Sequence, residues 1–196
     1  MTLEMKSVFA IICSLLRFWP HIIVYMRCSC RETLDYEMAR WYETHHIPAR
    51  KGVRGLLYLL AALPEYRSLF YFRTGRKWLS RLAKGQNNLE FYTEPEKIGR
   101  GLVIWHGFST VINVQSMGED CQVWQNVVIG KSSSDEGEDR PIIGNGVRIA
   151  AGAIVVGDIR IADNSTIGAG AIAVKDVTEE GTLVVAQPSR YISRKR

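Results

Sequence analysis

The apolar residues in the second half of this chain recur every six positions. Small or branched apolar residues occupy Ile143, Ile149, Val155, Ile161, Ile167 and Ala173, and a very small residue follows most of them. An α-helix repeats near 3.6 residues and a simple strand repeats at two, so neither explains a sustained period of six. A chain that turns a corner every six residues does explain it, because each short strand then sends one branched side chain inward. The pattern predicts a parallel β-helix.

The same period continues upstream, and one long segment interrupts it. Ile98 and Ile104 fit the period, and after a slip of one residue at Thr110 the predicted inward positions are Val111, Met117, Val123 and Ile129. The spacing predicts about four coils of three strands each. The register breaks at residues 131–141, which are polar and acidic and which we expect to protrude as a loop. A long loop in a repeat array usually lies on the binding face, and a solvated insertion is the alternative.

The first part of the chain has the spacing of helices instead. Residues 34–41, 53–63 and 65–82 combine helix-forming residues with apolar positions three and four apart. Pro64 suits a helix start, and the turn-rich residues 85–88 separate these helices from the repeats. The sequence therefore predicts an α+β chain, with a helical domain over 1–89 and a β-helix domain with a C-terminal tail over 90–196.

Positive charge is concentrated in the helical part. Residues 1–90 carry 14 Lys and Arg against 7 Asp and Glu, whereas residues 91–196 carry 11 against 13. The net charge of +5 thus belongs to the N-terminal half. A basic half suggests an anionic partner such as a membrane surface, a phosphorylated substrate or nucleic acid, and an ordinary solvated helical surface is the alternative.

Residues 8–26 are rich in apolar side chains, but they do not have the pattern of a membrane span. Arg17, Pro20 and His21 interrupt the run at its centre, where a charge is costly in a bilayer. A packed amphipathic helix is favoured over a span. A helix that lies in the membrane interface is the alternative, so peripheral membrane contact through the basic helices is a further expectation.

The four cysteines, at positions 13, 28, 30 and 121, do not form a recognisable framework. The spacing of Cys28 and Cys30 is too tight for a usual disulfide and differs from a zinc CxxC motif. We therefore expect reduced thiols, a cytoplasmic location and no bound metal.

A single histidine, His106, lies within the repeats. It comes two places after Ile104, which already fills the inward position of its unit, so His106 is not needed in the core. Histidine is the commonest general base for a hydroxyl nucleophile because its pKa lies near neutrality. His106 is the candidate catalytic base, and a surface or packing histidine is the alternative.

Several segments resemble the serine acetyltransferase group of hexapeptide acyltransferases. They are KIGRGLVIWHGFSTVIN, MGEDCQVWQNVVIG, the long run from Pro141 to Val177, and a Pro-x-Arg near the end, and the resemblance covers residues 64–192. It implies a left-handed β-helix, acetyl-CoA as the donor, and a homotrimer or a dimer of trimers with active sites between neighbouring subunits. It implies no nucleic acid partner.

The resemblance also implies roles for individual residues. His106 matches the general base, and Glu94 or Glu96 would replace a missing Asp that orients it. Small residues that line the acetyl-CoA groove are matched by Gly130, Ala151 and Ala169, and cations that could hold the CoA phosphates by Lys175 and Arg190. Arg140 falls near an Arg-His pair of the family's loop and would contact the acceptor.

Three departures from the family concern serine binding. Trp105 stands where the serine enzymes place an Asp before the catalytic His, and Arg140 runs directly into Pro141 without the loop His. The helical domain shows residues 63–67 (LPEYR) in place of an Asp-Pro-Ala segment that pairs with the amine of serine. An ammonium without carboxylates to pair with is poorly recognised, so these departures disfavour serine as the acceptor.

The departures lead to a prediction of a carbohydrate acceptor. The segment PEYRSLFYFR resembles polysaccharide or capsule O-acetyltransferases, and Trp105 beside the base suits stacking on a sugar ring. We therefore predict an O-acetyltransferase that moves the acetyl group of acetyl-CoA to a hydroxyl of a polysaccharide or its precursor. One alternative is a serine O-acetyltransferase of cysteine biosynthesis. A second is a non-catalytic trimeric scaffold that binds a partner through its helices.

Overall fold

The N-terminal part of the chain is helical. The computed structural model describes residues 16–132 and 139–186. Residues 16–27 form helix α1, which is followed by α2 (Arg31–Thr44), α3 (Gly52–Ala62) and α4 (Pro64–Thr74), and 3-10 turns lie at Lys77–Arg81 and Pro95–Lys97. The predicted helix over 65–82 is shorter in the structure because Gly75 adopts a left-handed conformation, with φ of 65°, and ends α4.

Within the described residues, thirteen short parallel strands follow and wind into three faces. The strands are β1 (Leu89–Phe91), β2 (Val103–Ile104), β3 (Thr110–Ile112), β4 (Ser116–Met117), β5 (Gln122–Val123), β6 (Val128–Gly130), β7 (Ile142–Ile143), β8 (Arg148–Ile149), β9 (Ile154–Val156), β10 (Arg160–Ile161), β11 (Thr166–Ile167), β12 (Ile172–Ala173) and β13 (Leu183–Val184). Face A has the order β1-β3-β6-β9-β12, face B the order β4-β7-β10, and face C the order β2-β5-β8-β11-β13. The predicted parallel β-helix behind a helical N-terminal region is confirmed.

The inward residues follow the predicted period, with one exception at the start of face A. Ile112 is fully buried and Val111 points outward, so the prediction of an inward Val111 is wrong. Eight positions separate the buried Ile104 and Ile112, whereas six separate Val123 from Ile129 in the next coil. The turn that contains His106 is therefore longer than the turns stacked above it.

A buried ion pair joins the helices to the first coil. Arg73 of α4 donates from Nε (3.0 Å) and from its second terminal nitrogen (2.7 Å) to Oε1 of Glu37 in α2. The guanidinium also donates to the carbonyl oxygens of Pro95 (2.8 Å), Ile98 (2.7 Å) and Gly99 (2.7 Å). Burial raises the pKa of Glu37, and the adjacent guanidinium opposes that rise. One side chain thus fixes two helices against the chain segment that enters the β-helix.

Helix α2 makes further contacts with the first two coils. The indole Nε1 of Trp41 donates to the Leu102 carbonyl at 2.8 Å, and the Tyr36 hydroxyl donates to Asp120 at 2.9 Å. On the other side Phe72 of α4 stacks on Phe91 of β1, with ring centroids 4.1 Å apart. These contacts set the position of both helices relative to the turn after β2.

The ion pair gives a stability prediction. Arg73→Met should lower the free energy of unfolding by about 3–5 kcal/mol, because it leaves the Glu37 carboxylate buried without a cation. The double variant Arg73→Met with Glu37→Leu should be less destabilised than Arg73→Met alone, because no isolated charge remains. Urea denaturation of the wild type, both single variants and the double variant closes the thermodynamic cycle. Additive losses in the double variant would contradict a direct coupling.

Candidate active site

His106 projects from the long turn between β2 and β3. Its backbone is left-handed, with φ of 61°, and its side chain is exposed. The following Gly107 also has a positive φ, and a methyl group added there would lie 2.8 Å from Cγ2 of Ile104 and 3.4 Å from Cγ of Glu65. A left-handed conformation at a non-glycine residue costs about 1–2 kcal/mol, so the surroundings hold this turn in place.

A stack of four rings packs beside this turn. The centroid distances are 5.2 Å from Trp41 to His45, 4.4 Å from His45 to Trp105 and 5.8 Å from Trp105 to Trp124, and all three pairs are near parallel. The Trp105 Nε1–H donates to Oε1 of Gln122 at 3.0 Å. Trp105, the predicted acceptor contact, is therefore fixed by stacking and by a hydrogen bond to the neighbouring coil.

His45 has a defined tautomer within the stack. Its Nδ1 lies 3.0 Å from the Trp41 carbonyl oxygen, which can only accept, so Nδ1 carries the proton and Nε2 is the acceptor. Burial lowers the pKa of His45, the nearby His106 lowers it further, and Glu65 raises it. His45 is thus neutral at pH 7. No pattern in the sequence marks His45 as a site residue, because its packing against Trp105 depends on how α2 docks.

Glu65 brings a carboxylate to the same place. It follows Pro64 in the first turn of α4, is half-buried, and lies against Gly107, the residue after His106. Both Glu65 and His106 act electrostatically on His45, and we refer to these three residues as the His106 cluster. Residues 63–67 were expected to lack a carboxylate that pairs with the amine of serine. No local pattern could locate Glu65, because it meets the His106 turn only through the packing of α4.

The other predicted polar residues lie at a different corner of the β-helix. Glu94 is exposed and pairs with Lys97 at 3.3 Å, and its own backbone amide and Lys97 lower its pKa. Arg140 also lowers the pKa of Glu94. Both residues lie between faces A and B, whereas His106 lies between faces C and A. Within one chain the fold does not bring Glu94 beside His106.

The residues predicted to bind acetyl-CoA flank face A on both sides. Ala151 and Ala169 lie in the stacked turns at the His106 corner, where the Gly170 amide donates to the Ala151 carbonyl at 2.9 Å. Gly130 ends β6 and Lys175 follows β12, so both lie towards the opposite corner. Arg190 and residues 133–138 of the predicted loop lie outside the described residues.

The structure of a single chain does not require a glycine at position 130. Its φ is not positive, and an added Cβ would meet its nearest atom, in the Asn113 side chain, at 3.8 Å, which is ordinary contact. Neither strain nor crowding explains the small residue. Gly130 is nevertheless buried at the end of β6, so within one chain it does not form an open groove for a ligand.

Comparisons with known proteins agree on one family. Residues 140–172 match the family model described as bacterial transferase hexapeptide (six repeats). A serine acetyltransferase from Helicobacter pylori (strain ATCC 700392 / 26695) is 33% identical over 146 residues, which is 74% of this chain and 83% of that protein.

Solved structures share the fold. The crystal structure of Neisseria gonorrhoeae serine acetyltransferase superposes with a TM-score of 0.64 at 23% identity, and the match covers 87% of this chain and 70% of that one. A serine acetyltransferase solved in complex with CoA gives a TM-score of 0.60 at 18% identity, covering 90% of this chain and 72% of that one. The helical region and the β-helix are thus shared together, and not the repeats alone.

These findings overturn the prediction of a carbohydrate acceptor. The matching proteins are serine acetyltransferases, in sequence and in fold. The structure gives the physical reason: the ring of Trp105, which was expected to stack on a sugar, stacks instead on His45 and Trp124. The expected role in polysaccharide biosynthesis depended on that acceptor and is therefore not supported either.

Proposed function

We propose that this chain, which belongs to the serine acetyltransferase family, transfers the acetyl group of acetyl-CoA to the hydroxyl of L-serine. As a member it is an acetyl-CoA-dependent acyltransferase. The observation that carries the choice of acceptor is the position of Glu65, whose side chain lies against the turn that carries the candidate base His106.

His106 is the proposed general base. Its imidazole accepts the proton of the serine hydroxyl while the oxygen attacks the thioester carbonyl carbon. The tetrahedral intermediate then collapses, the C–S bond breaks, and the CoA thiolate leaves. The imidazolium returns its proton to that sulfur, so the products are O-acetylserine and CoA thiol. The exposed, left-handed turn supports this role because it presents the side chain of His106 outside the coil.

Glu65 is the proposed partner of the serine ammonium group. A carboxylate and an ammonium form a charge-assisted hydrogen bond, which is stronger than a neutral one. Glu65 supports this role because it lies against the turn of the base and is half-buried, where solvent screens a charge less than at the open surface. It would supply the carboxylate that an Asp-Pro-Ala segment supplies in other members.

We further propose that three chains assemble along face A of a left-handed coil. The outward residues of face A form an apolar column, and the register pairs Val111 with Val128, Val128 with Ile154, and Ile154 with Ile172. Val128 is 39% exposed and Ile172 is 61% exposed. An exposed apolar column of this kind is typical of a subunit interface.

The division of the predicted site residues supports the same assembly. His106, Ala151 and Ala169 lie at one corner of face A, and Gly130 and Lys175 lie towards the other. If face A joins two chains, the first corner of one chain meets the second corner of its neighbour. A complete acetyl-CoA groove would then contain residues of both chains.

The first prediction from this proposal concerns the reaction itself. The wild-type chain should release free thiol from acetyl-CoA in the presence of L-serine, and His106→Ala should lower kcat by about 10²–10⁴-fold. The KM for acetyl-CoA should change little, because His106 acts on the acceptor. His46→Asn is the matched control: His46 is exposed and also has a positive φ, but it lies after α2 and not in the turn between β2 and β3. No thiol release with L-serine would refute the proposed acceptor, and full activity of His106→Ala would refute the base.

The second prediction isolates Glu65. Glu65→Gln should raise the KM for serine by about tenfold to a hundredfold, because a hydrogen bond to a charged group contributes roughly 1.5–3 kcal/mol. The KM for acetyl-CoA should stay within about twofold of the wild-type value. An acceptor without the amino group, 3-hydroxypropanoate, separates recognition from folding. The wild type should strongly prefer serine over it, and Glu65→Gln should lose most of that preference. An unchanged preference would rule Glu65 out as the ammonium partner.

The third prediction concerns assembly. Val128→Glu should convert trimers to monomers, because three unpaired carboxylates would be buried at the interface. Arg148→Glu is the control, since Arg148 also points outward, but from face C. Sedimentation equilibrium distinguishes the species, and a trimeric Val128→Glu or a monomeric wild type would contradict an interface on face A.

A further inference from the structure

Helix α1 is apolar on two opposite sides, and one of them is covered by the protein. Phe18, His21 and Tyr25, spaced three and four apart, are buried against the helical core. On the other side Trp19 is 59% exposed and Met26 is also 59% exposed. A helix with two apolar sides is normally buried on both, but none of the described residues covers the outer side of α1.

The outer side of α1 continues onto the chain that follows α4. Ile23 and Trp78 line the same groove, and Arg17 Nε donates to the Leu82 carbonyl at 3.2 Å, which joins the two segments. Trp78 is 50% exposed and Leu82 is 45% exposed. We call this surface the outer patch; its apolar members are Trp19, Ile23, Met26, Trp78 and Leu82. Its members come from two parts of the chain, which meet at Ile23 and Trp78.

Basic residues predominate in the two chain segments that contain the outer patch. Residues 16–31 and 75–89, which contain it, have no Asp or Glu. The exposed cations of these segments are Arg17, Arg27, Arg31, Arg76, Lys77, Arg81 and Lys84, of which Arg31 pairs with Asp35 at 3.7 Å. Apolar side chains that include tryptophan, bordered by Lys and Arg, are the composition of a surface that lies in the interface of an anionic bilayer.

We propose that the outer patch docks the protein on the surface of a membrane that contains anionic lipids. Trp19, Ile23, Met26, Trp78 and Leu82 would enter the boundary between head groups and acyl chains, and the cations would pair with lipid phosphates. None of the described helices is long and apolar enough to cross a bilayer. The contact proposed is therefore peripheral and reversible. It is independent of the acceptor, because none of these residues belongs to the His106 cluster.

The charge of the patch favours a membrane over a second copy of this chain. Two copies brought together through the outer patch would place like-charged borders against each other, which is unfavourable. An anionic bilayer complements the patch in two ways: its acyl chains accept the apolar side chains, and its lipid phosphates carry charge opposite to that of the Lys and Arg residues. Each Lys or Arg near such a surface adds to the attraction, and salt weakens it.

Vesicle flotation of the full-length protein tests the proposal. The wild type should float with vesicles of phosphatidylcholine and phosphatidylglycerol and bind phosphatidylcholine vesicles much more weakly, and high salt should reduce binding. Trp19→Ser with Met26→Ser should weaken binding by about tenfold or more, because two buried apolar side chains are lost. Arg76→Glu with Lys77→Glu and Arg81→Glu should weaken it by about a hundredfold. Val185→Ser, which removes an exposed apolar side chain at the far end of the coil, should bind like the wild type.

Lipids brominated in their acyl chains add a positional readout. Trp19 and Trp78 are two of the five tryptophans. Brominated lipids should quench the tryptophan fluorescence of the wild type, and this quenching should disappear in the double variant Trp19→Phe with Trp78→Phe. Failure of the wild type to bind either kind of vesicle would overturn the proposal. Binding that depends on the cations but not on Trp19 and Met26 would indicate a general polyanion surface and would also overturn it. The proposal would also be overturned if the wild type self-associated through this surface, lost that self-association in Trp19→Ser, and bound no vesicles.

Discussion

The buried pair of Arg73 and Glu37 is the contact on which the arrangement of the site depends. It fixes α2 and α4 to each other and to the chain that enters the first coil. Because α2 is held there, His45 reaches Trp105, and because α4 is held there, Glu65 reaches Gly107. The β-helix supplies the turn with His106, but the chemistry around that histidine comes from the helices. An ion pair far from any substrate thus determines which groups surround the base.

The fold was largely predictable, because the physics that builds the coil is local. Each strand of two or three residues needs one inward branched side chain and a compact turn, and that requirement repeats visibly at Ile149, Val155 and Ile161. The misplacement of Val111 has an equally local cause. Counting by six cannot detect that the His106 turn is longer, since Val111 and Ile112 are both acceptable inward residues.

The site was less predictable, because its geometry comes from packing between distant segments. His106 could be selected from its place in the repeats, but the approach of Glu65 and His45 depends on how two helices dock. The carbohydrate prediction was wrong because it treated the position before the base in isolation. Trp105 is unusual there, yet its ring is engaged by His45 and Trp124 and its indole nitrogen by Gln122, so it serves packing within the protein.

The contacts described between helices and coil fall on residues 91–120, near the start of the array. In a stacked solenoid each coil interacts mainly with its neighbours, so the later coils are energetically remote from the His106 turn. Coil number is then a variable that evolution can change by duplication or loss at the distal end without disturbing the base or its helical partners. Proteins of this architecture can therefore differ in length while keeping the same base and the same helical partners.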